Sequence, residues 1–167
     1  MSEKPGVSVG IQEENKPPSA EKIVVLGLGN LLLSDEGVGV QVVNKIRDMG
    51  LPPEVKIIDG GTEGFSLLPI LMEAERLIIV DAVKGGGSPG SLYRFDLKDC
   101  PPFPDPYKTS AHQISFPEVI SLARLIGPIP KATVIGVEPK SLEIGMELSS
   151  EIQAKIPRII ELVLEEV

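Results

Sequence analysis

The chain has few of the residues that small domains use for covalent or metal crosslinks. Its 167 residues include one cysteine (Cys100), one histidine (His112) and no tryptophan. A single cysteine excludes an intrachain disulfide, and a chain of this length buries about 70% of the surface that its unfolded form exposes. The sequence therefore predicts one core that needs neither a disulfide nor a structural metal.

Basic residues are also scarce, with 16 Lys and Arg against 24 Asp and Glu and a net charge of -8. This balance argues against a nucleic-acid partner, because phosphate neutralisation needs clustered Lys and Arg. No stretch reaches the ~18 apolar residues of a membrane helix, and the first residues lack the apolar core of a signal peptide. We expect a soluble, cytoplasmic protein without membrane insertion, whose partner is a protein or a small molecule.

The chain divides into a polar start and one predicted domain. Residues 1–21 are polar, contain three prolines and show no periodicity, so we expect a mobile N-terminal extension. Residues 22–167 form the domain, in which short apolar runs alternate with segments of helical spacing. This alternation predicts an α/β fold with a mainly parallel sheet covered on both faces.

The predicted elements can be placed from apolar spacing and from turn residues. Strands are expected at 23–28, 55–58, 77–80 and 132–137, with a partly exposed or edge strand at 91–97. Helices are expected at 38–49, at 64–75, at 116–125 and from Ser150 to the C-terminus. Pro157 lies inside the last apolar stripe, and we expect it to kink that helix without ending it.

Four chemically capable side chains stand out: Glu36, Asp59, Asp81 and His112. The first three follow predicted strands, and ligands of α/β sheets bind beyond the carboxyl ends of the strands. Each residue also has a structural interpretation, since Asp35 or Glu36 can complement a helix N-terminus, Asp59 can form a turn and His112 can lie on the surface. The position of three of them directly after predicted strands favours a functional site over these separate structural roles.

Glu36 and Asp81 would repel each other if strand ends bring them together. At about 4 Å and an effective dielectric near 20 the repulsion is about 4 kcal/mol, which a divalent cation removes. Two carboxylates and the His112 imidazole suit nickel, zinc, cobalt or iron and leave positions open for substrate or water. Without metal, the carboxyl pair could share a proton and act as acid and base on a water.

Five ordered sequence blocks resemble the hydrogenase maturation endopeptidases, which process the large subunit of nickel-iron hydrogenases. The resemblance covers residues 23–166. The blocks are GLGNLLLSDEGVG, DGGTEG from Asp59, LIIVDAV from Leu77, SAHQ from Ser110 and VIGVEP from Val134.

This resemblance implies a three-layer αβα sandwich and removal of a C-terminal extension from the large-subunit precursor after nickel insertion. It implies that Glu36, Asp81 and His112 contact the metal, with Glu36 and Asp81 as the candidate catalytic residues. The nickel would come with the precursor and serve for recognition, so the chain need not hold it permanently. The turn of Asp59, Gly60, Gly61 and Thr62 is expected to shape the substrate groove.

Three other functions fit parts of the sequence. The same metal ligands would suit a non-enzymatic, nickel-sensing chaperone that binds the precursor and holds it open. Cys100 and His112 could form a cysteine protease pair, although no helix N-terminus is expected to lower the thiol pKa. Peptidyl-tRNA hydrolases also begin with a strand and a Gly-x-Gly-Asn turn, but the acidic balance disfavours an RNA partner.

Overall fold

The computed structural model describes residues 20–99 and 116–167, which build a five-stranded sheet between two layers of helices. The strands are β1 (Ile23–Leu28), β2 (Val55–Gly61), β3 (Arg76–Ala82), β4 (Leu92–Asp96) and β5 (Lys131–Val137). Their order across the sheet is β2-β1-β3-β5-β4. All neighbours are parallel except β4, which pairs antiparallel with β5 at the sheet edge.

Helices cover both faces of this sheet and create two apolar cores. They are α1 (Val38–Arg47), α2 (Leu68–Glu73), α3 (Phe116–Ile126), α4 (Ser150–Gln153) and α5 (Ile156–Glu166). Side chains of α1, α4 and α5 pack on one face with Val25, Ile78 and Ile135. Side chains of α2 and α3 pack on the other face with Leu26 and Ile79. The predicted three-layer αβα sandwich is confirmed.

The strands follow from their apolar runs. All six residues of β1 are buried, because β1 lies inside the sheet with a helix layer on each face. The edge position predicted for β4 is also confirmed, and its residues are half-buried or exposed. Two strands extend past their predicted carboxyl ends, since β2 continues to Gly61 and β3 to Ala82 through pairing with β1 and β5.

The predicted continuous C-terminal helix is wrong. The chain forms a short α4, passes through a two-residue turn at Ala154 and Lys155 whose backbone dihedrals stay in the helical region, and starts α5 at Ile156. Pro157 therefore lies in the first turn of α5, where its missing N–H breaks no intrahelical hydrogen bond. The apolar stripe stays in phase, since Ile152 and Ile159 are both buried in the same core.

The second helix is also shorter than predicted. A 3-10 helix covers Phe65–Leu67, and α2 ends at Glu73 ahead of an extended Ala74. Met49, predicted on the buried face of the first helix, lies beyond the end of α1 and is exposed. The N-terminal extension apart from residues 20 and 21, Cys100 and the segment that contains His112 lie outside the described residues.

Candidate functional site

Glu36 lies where the carboxyl ends of β1 and β3 meet the start of α1. It belongs to a 3-10 helix, Ser34–Gly37, that contacts β3 and leads directly into α1. The close approach depends on Gly39, because a Cβ there would lie 2.1 Å from the Val80 carbonyl oxygen. The first turn of α1 therefore rests on the strand ends, and Glu36 is half-buried beside them.

Asp81 is the second carboxylate at this edge, and it lies inside β3 rather than after it. It pairs with Gly136 of β5, so the ladder continues past the last buried residue, Val80. Side chains alternate along a strand, and Ile79 packs in the core of α2 and α3. Asp81 thus lies on the same face as α3, at the end of the strand that the Glu36 turn contacts.

The backbone around Glu36 is closely packed and has positive φ angles at Gly29 and Ser34. Gly29 has a φ of 129°, and a Cβ there would lie 1.7 Å from the Glu36 carbonyl oxygen. Ser34 has a φ of 50°, a left-handed conformation that non-glycine residues seldom adopt. Hydrogen bonds hold it there, since its N–H donates to the Gly145 carbonyl at 2.8 Å and its hydroxyl donates to the Glu143 carbonyl at 2.8 Å.

The segment predicted as the Asp59 turn lies at the same edge, next to the end of β1, but its first three residues belong to β2. Asp59 pairs with Gly27 inside the strand, the pairing becomes irregular at Gly60, and Asp59 Oδ1 accepts a hydrogen bond from the Gly61 N–H at 3.0 Å. Gly60 is buried against Leu26, and Gly61 has a φ of 47°. Asp59 and Thr62 are exposed to solvent.

The third predicted metal ligand, His112, lies outside the described residues, as does the Cys100 partner of the cysteine-protease hypothesis. Within residues 20–99 and 116–167, no three His, Cys, Asp or Glu side chains form a group that could hold a metal ion. The same residues contain no helix long and apolar enough to cross a membrane. Glu36 and Asp81 are thus the two predicted ligands that the structure brings to one edge.

One carboxylate that the sequence did not single out as a site residue is Asp35, whose side chain is fully buried. Its oxygens accept hydrogen bonds from the N–H groups of Lys140 and Ser141, both at 2.9 Å. The N–H of Ser149 donates at 2.7 Å and its hydroxyl at 2.9 Å. Asp35 therefore accepts hydrogen bonds from residues far away in the sequence and does not cap the helix that follows it.

A second unpredicted carboxylate, Glu138, is buried directly after β5. Its side chain accepts hydrogen bonds from the Gly85 N–H and the Tyr93 hydroxyl, both at 2.7 Å. Burial raises the pKa of Glu138, but these hydrogen bonds, with those of neighbouring glycine amides, outweigh it and leave the pKa below its usual value. Glu138 in turn raises the pKa of Tyr93 by accepting its proton in a hydrogen bond.

The fold and the site define a class of protein, an α/β sandwich with carboxylates at the carboxyl edge of a parallel sheet. The family model described as hydrogenase maturation protease matches residues 40–166. A hydrogenase expression/formation protein, HupD, of Rhodobacter capsulatus is 46% identical over 125 residues, which are 74% of this chain and 60% of that protein. The chain thus spans less than two thirds of that relative.

Other relatives match over nearly their whole length. The hydrogenase 2 maturation protease of Escherichia coli is 38% identical over 86% of this chain and 88% of its own. The solved structure of the hydrogenase maturating endopeptidase HybD from E. coli superposes with a TM-score of 0.77 at 37% identity, covering 87% of this chain and 91% of that one. A hydrogenase 2 maturation peptidase from a Thaumarchaeota archaeon gives a TM-score of 0.68 at 30% identity, over 87% and 97% of the two chains.

The chain therefore belongs to the hydrogenase maturation protease family. This confirms the resemblance that the five sequence blocks indicated, and it makes the carboxylate edge a candidate peptidase site.

Proposed function

We propose that this protein is an endopeptidase that removes the C-terminal extension of a nickel-iron hydrogenase large-subunit precursor after nickel has been inserted. The single observation that carries the proposal is the placement of Glu36 and Asp81. One lies in the turn that contacts β3, and the other lies near the end of that same strand. Two carboxylates at a ligand-binding edge can activate a water as general base and acid, or they can bind a metal.

The two carboxylates would act on the scissile peptide bond in complementary ways. One would accept a proton from the attacking water, and the same or the other carboxyl group would donate a proton to the departing amine. Such a pair works when its members have different proton affinities, which unequal surroundings produce. Glu36 lies on a turn outside the sheet, whereas Asp81 is part of a paired strand, so their surroundings differ.

Nickel enters this proposal as part of the substrate. Glu36 and Asp81 would supply two oxygen ligands and His112 a nitrogen ligand, a set that suits nickel. Helix α3 packs on the face of the sheet where Asp81 lies, and His112 precedes that helix by four residues in the sequence. Contact with the precursor's metal would make cleavage depend on prior nickel insertion.

The Asp59 turn would shape the groove for the precursor's C-terminal segment. Asp59 and Thr62 are exposed at the strand-end edge, beside the close-packed Gly60. The absence of side chains at Gly60 and Gly61 would let an extended peptide approach this edge closely. This role concerns binding, so changes at Thr62 should act on KM more than on kcat.

The proposal is tested by incubating nickel-loaded precursor with wild-type protein, with Asp81→Asn and with Glu36→Gln. The wild type should release a C-terminal fragment, and both variants should slow its release by at least about 100-fold while keeping their circular dichroism spectra. Asp48→Asn is the matched control, because Asp48 is exposed at the end of α1. Full cleavage by Asp81→Asn would overturn the assignment, and a stable complex of uncut chains would support the chaperone.

A further inference from the structure

An irregular segment, residues 138–149, runs between β5 and α4 and contacts both parts of the candidate site. We call this segment the brace. Except for one isolated bridge between Gly145 and Leu33, it contains no strand or helix. Its first two residues, Glu138 and Pro139, are the end of the VIGVEP block, whose other four residues belong to β5. Two buried carboxylates, Asp35 and Glu138, connect the brace to the rest of the domain.

Asp35 connects the brace to the turn that carries Glu36. Its carboxylate accepts hydrogen bonds from the N–H groups of Lys140, Ser141 and Ser149 at 2.7–2.9 Å, near both ends of the brace. Its own N–H donates to the Ser141 carbonyl at 3.1 Å. Asp35 is 0% exposed and adjacent to Glu36 in the chain. A shift of the brace therefore cannot leave Asp35 in place without breaking several hydrogen bonds to a buried side chain.

Further backbone hydrogen bonds attach the same turn to the middle of the brace. The Gly145 N–H donates to the Leu32 carbonyl at 2.9 Å, and the Ser34 N–H donates to the Gly145 carbonyl at 2.8 Å. These bonds hold Ser34 in its left-handed conformation, which is the kind of local strain that surrounding structure must maintain. The brace thus sets the backbone path on which Glu36 lies.

Glu138, at the other end, connects the brace to the loop that follows Asp81. Its side chain accepts from the Gly85 N–H and the Tyr93 hydroxyl, and its carbonyl accepts from the Gly90 N–H at 2.8 Å. Both ends of the loop that leaves β3 are therefore attached to one residue. Because only three residues separate Asp81 from Gly85, this attachment limits how the end of β3 can move.

We propose that Asp35 and Glu138 are positioning residues, which hold Glu36 and Asp81 in a fixed relation to each other through the brace. The proposal rests on the proposed function, since it assigns the two carboxylates their spacing in that site. Both side chains are buried, so they would act through hydrogen bonds to a segment that both halves of the site share. A displacement of about 1 Å in a reacting group can lower the rate about 100-fold, and we expect a loss of about 10- to 100-fold when either carboxylate is removed.

The direct test compares Asp35→Asn and Glu138→Gln with wild-type protein in single-turnover cleavage of nickel-loaded precursor. Each amide keeps the size of the side chain but removes its charge, and at residue 35, where both oxygens accept hydrogen bonds, it also turns an NH2 group toward N–H or O–H donors. The cleavage rate should fall about 10- to 100-fold, while the Kd for nickel-free precursor, which does not depend on the metal contacts of Glu36 and Asp81, should change by less than about threefold. Unchanged cleavage, or a rate loss that only matches the fraction of unfolded protein, would overturn the proposal.

The matched control is Asp96→Asn. Asp96 also accepts a backbone hydrogen bond, from the Lys98 N–H at 3.0 Å, but it pairs with Thr133 toward the opposite edge of the sheet. We expect it to cleave as the wild type does. Should Asp35→Asn fail to fold, Ser149→Ala and Tyr93→Phe each remove one hydroxyl donor and should slow cleavage about 3- to 10-fold. Wild-type rates in both milder variants would contradict the proposal.

Hydrogen exchange separates this proposal from the proposed function. In Asp35→Asn, amide exchange should rise in peptides covering residues 33–37 and 138–149, whereas Asp96→Asn should leave both unchanged. If the wild type does not cleave any precursor, the proposed function fails, and these peptides still report whether the brace holds the Glu36 turn. Unchanged exchange over residues 33–37 in Asp35→Asn would refute the positioning role.

Discussion

Gly29 and Glu36 are in such close contact that no side chain can be placed between them. A Cβ at residue 29 would lie 1.7 Å from the Glu36 carbonyl oxygen and 2.9 Å from its carbonyl carbon. These atoms are backbone, which cannot turn aside as a flexible side chain can. The Glu36 backbone therefore packs directly against the Gly29 backbone, and the brace holds the same turn through hydrogen bonds.

Gly29→Ala should move Glu36 and abolish processing. The variant combines a backbone clash with a φ of 129°, so we expect cleavage to fall at least about 100-fold even at temperatures where the protein stays folded. Gly50→Ala is the matched control, because Gly50 also has a positive φ but a Cβ there meets nothing within 4 Å. That control should lose about 1 kcal/mol of stability and keep its activity. Normal cleavage by Gly29→Ala would contradict the placement of Glu36.

Glu138 should make the domain less stable in acid. Its folded-state pKa is lower than the ordinary 4.5, so its contribution is present above about pH 4.5 and is lost as the pH falls through the folded-state pKa. Urea unfolding should show a large difference between the wild type and Glu138→Gln near neutral pH that shrinks in acid. Glu147→Gln, at an exposed position of the brace, should show no such trend. A difference that stays constant down to about pH 3 would rule out this linkage.

Pro157→Ala tests the break between α4 and α5. At the first turn of a helix proline costs nothing, so we expect the free energy of unfolding to change by less than about 1 kcal/mol. Proline inside one continuous helix would instead cost about 3 kcal/mol, and its removal would stabilise the protein by that amount. Glu161→Pro, in the interior of α5, should destabilise by about 3 kcal/mol and provides the comparison.

The sequence predicted the central strands well because their burial produces a local signal. β1 and the apolar part of β3 are buried on both faces, so each reads as an unbroken apolar run. Asp81 was placed after β3 because the run ends at Val80. Its pairing with Gly136, more than 50 residues away, extends the strand, and no local pattern contains that information.

The brace could not be predicted for a related reason. The hydrogen-bond partners of Asp35 lie 105–114 residues away along the chain, and a buried aspartate looks in sequence like one that caps a helix. The prediction of one continuous C-terminal helix through Pro157 failed for a different reason. An apolar stripe can stay in phase across a two-residue break between helices. Acidic residues at strand ends and the family blocks both indicate Glu36 and Asp81, whose role in the site stays a prediction.

We propose that the carboxylate edge cuts a precursor whose nickel it recognises. The most direct test is to incubate the purified protein with its cognate large-subunit precursor, either nickel-loaded or nickel-free. The intact mass of the large subunit is then measured. Loss of a C-terminal fragment in the nickel-loaded sample alone is the predicted result. Equal cleavage of both samples would contradict the reading of nickel, and an uncut large subunit in both would contradict the endopeptidase itself.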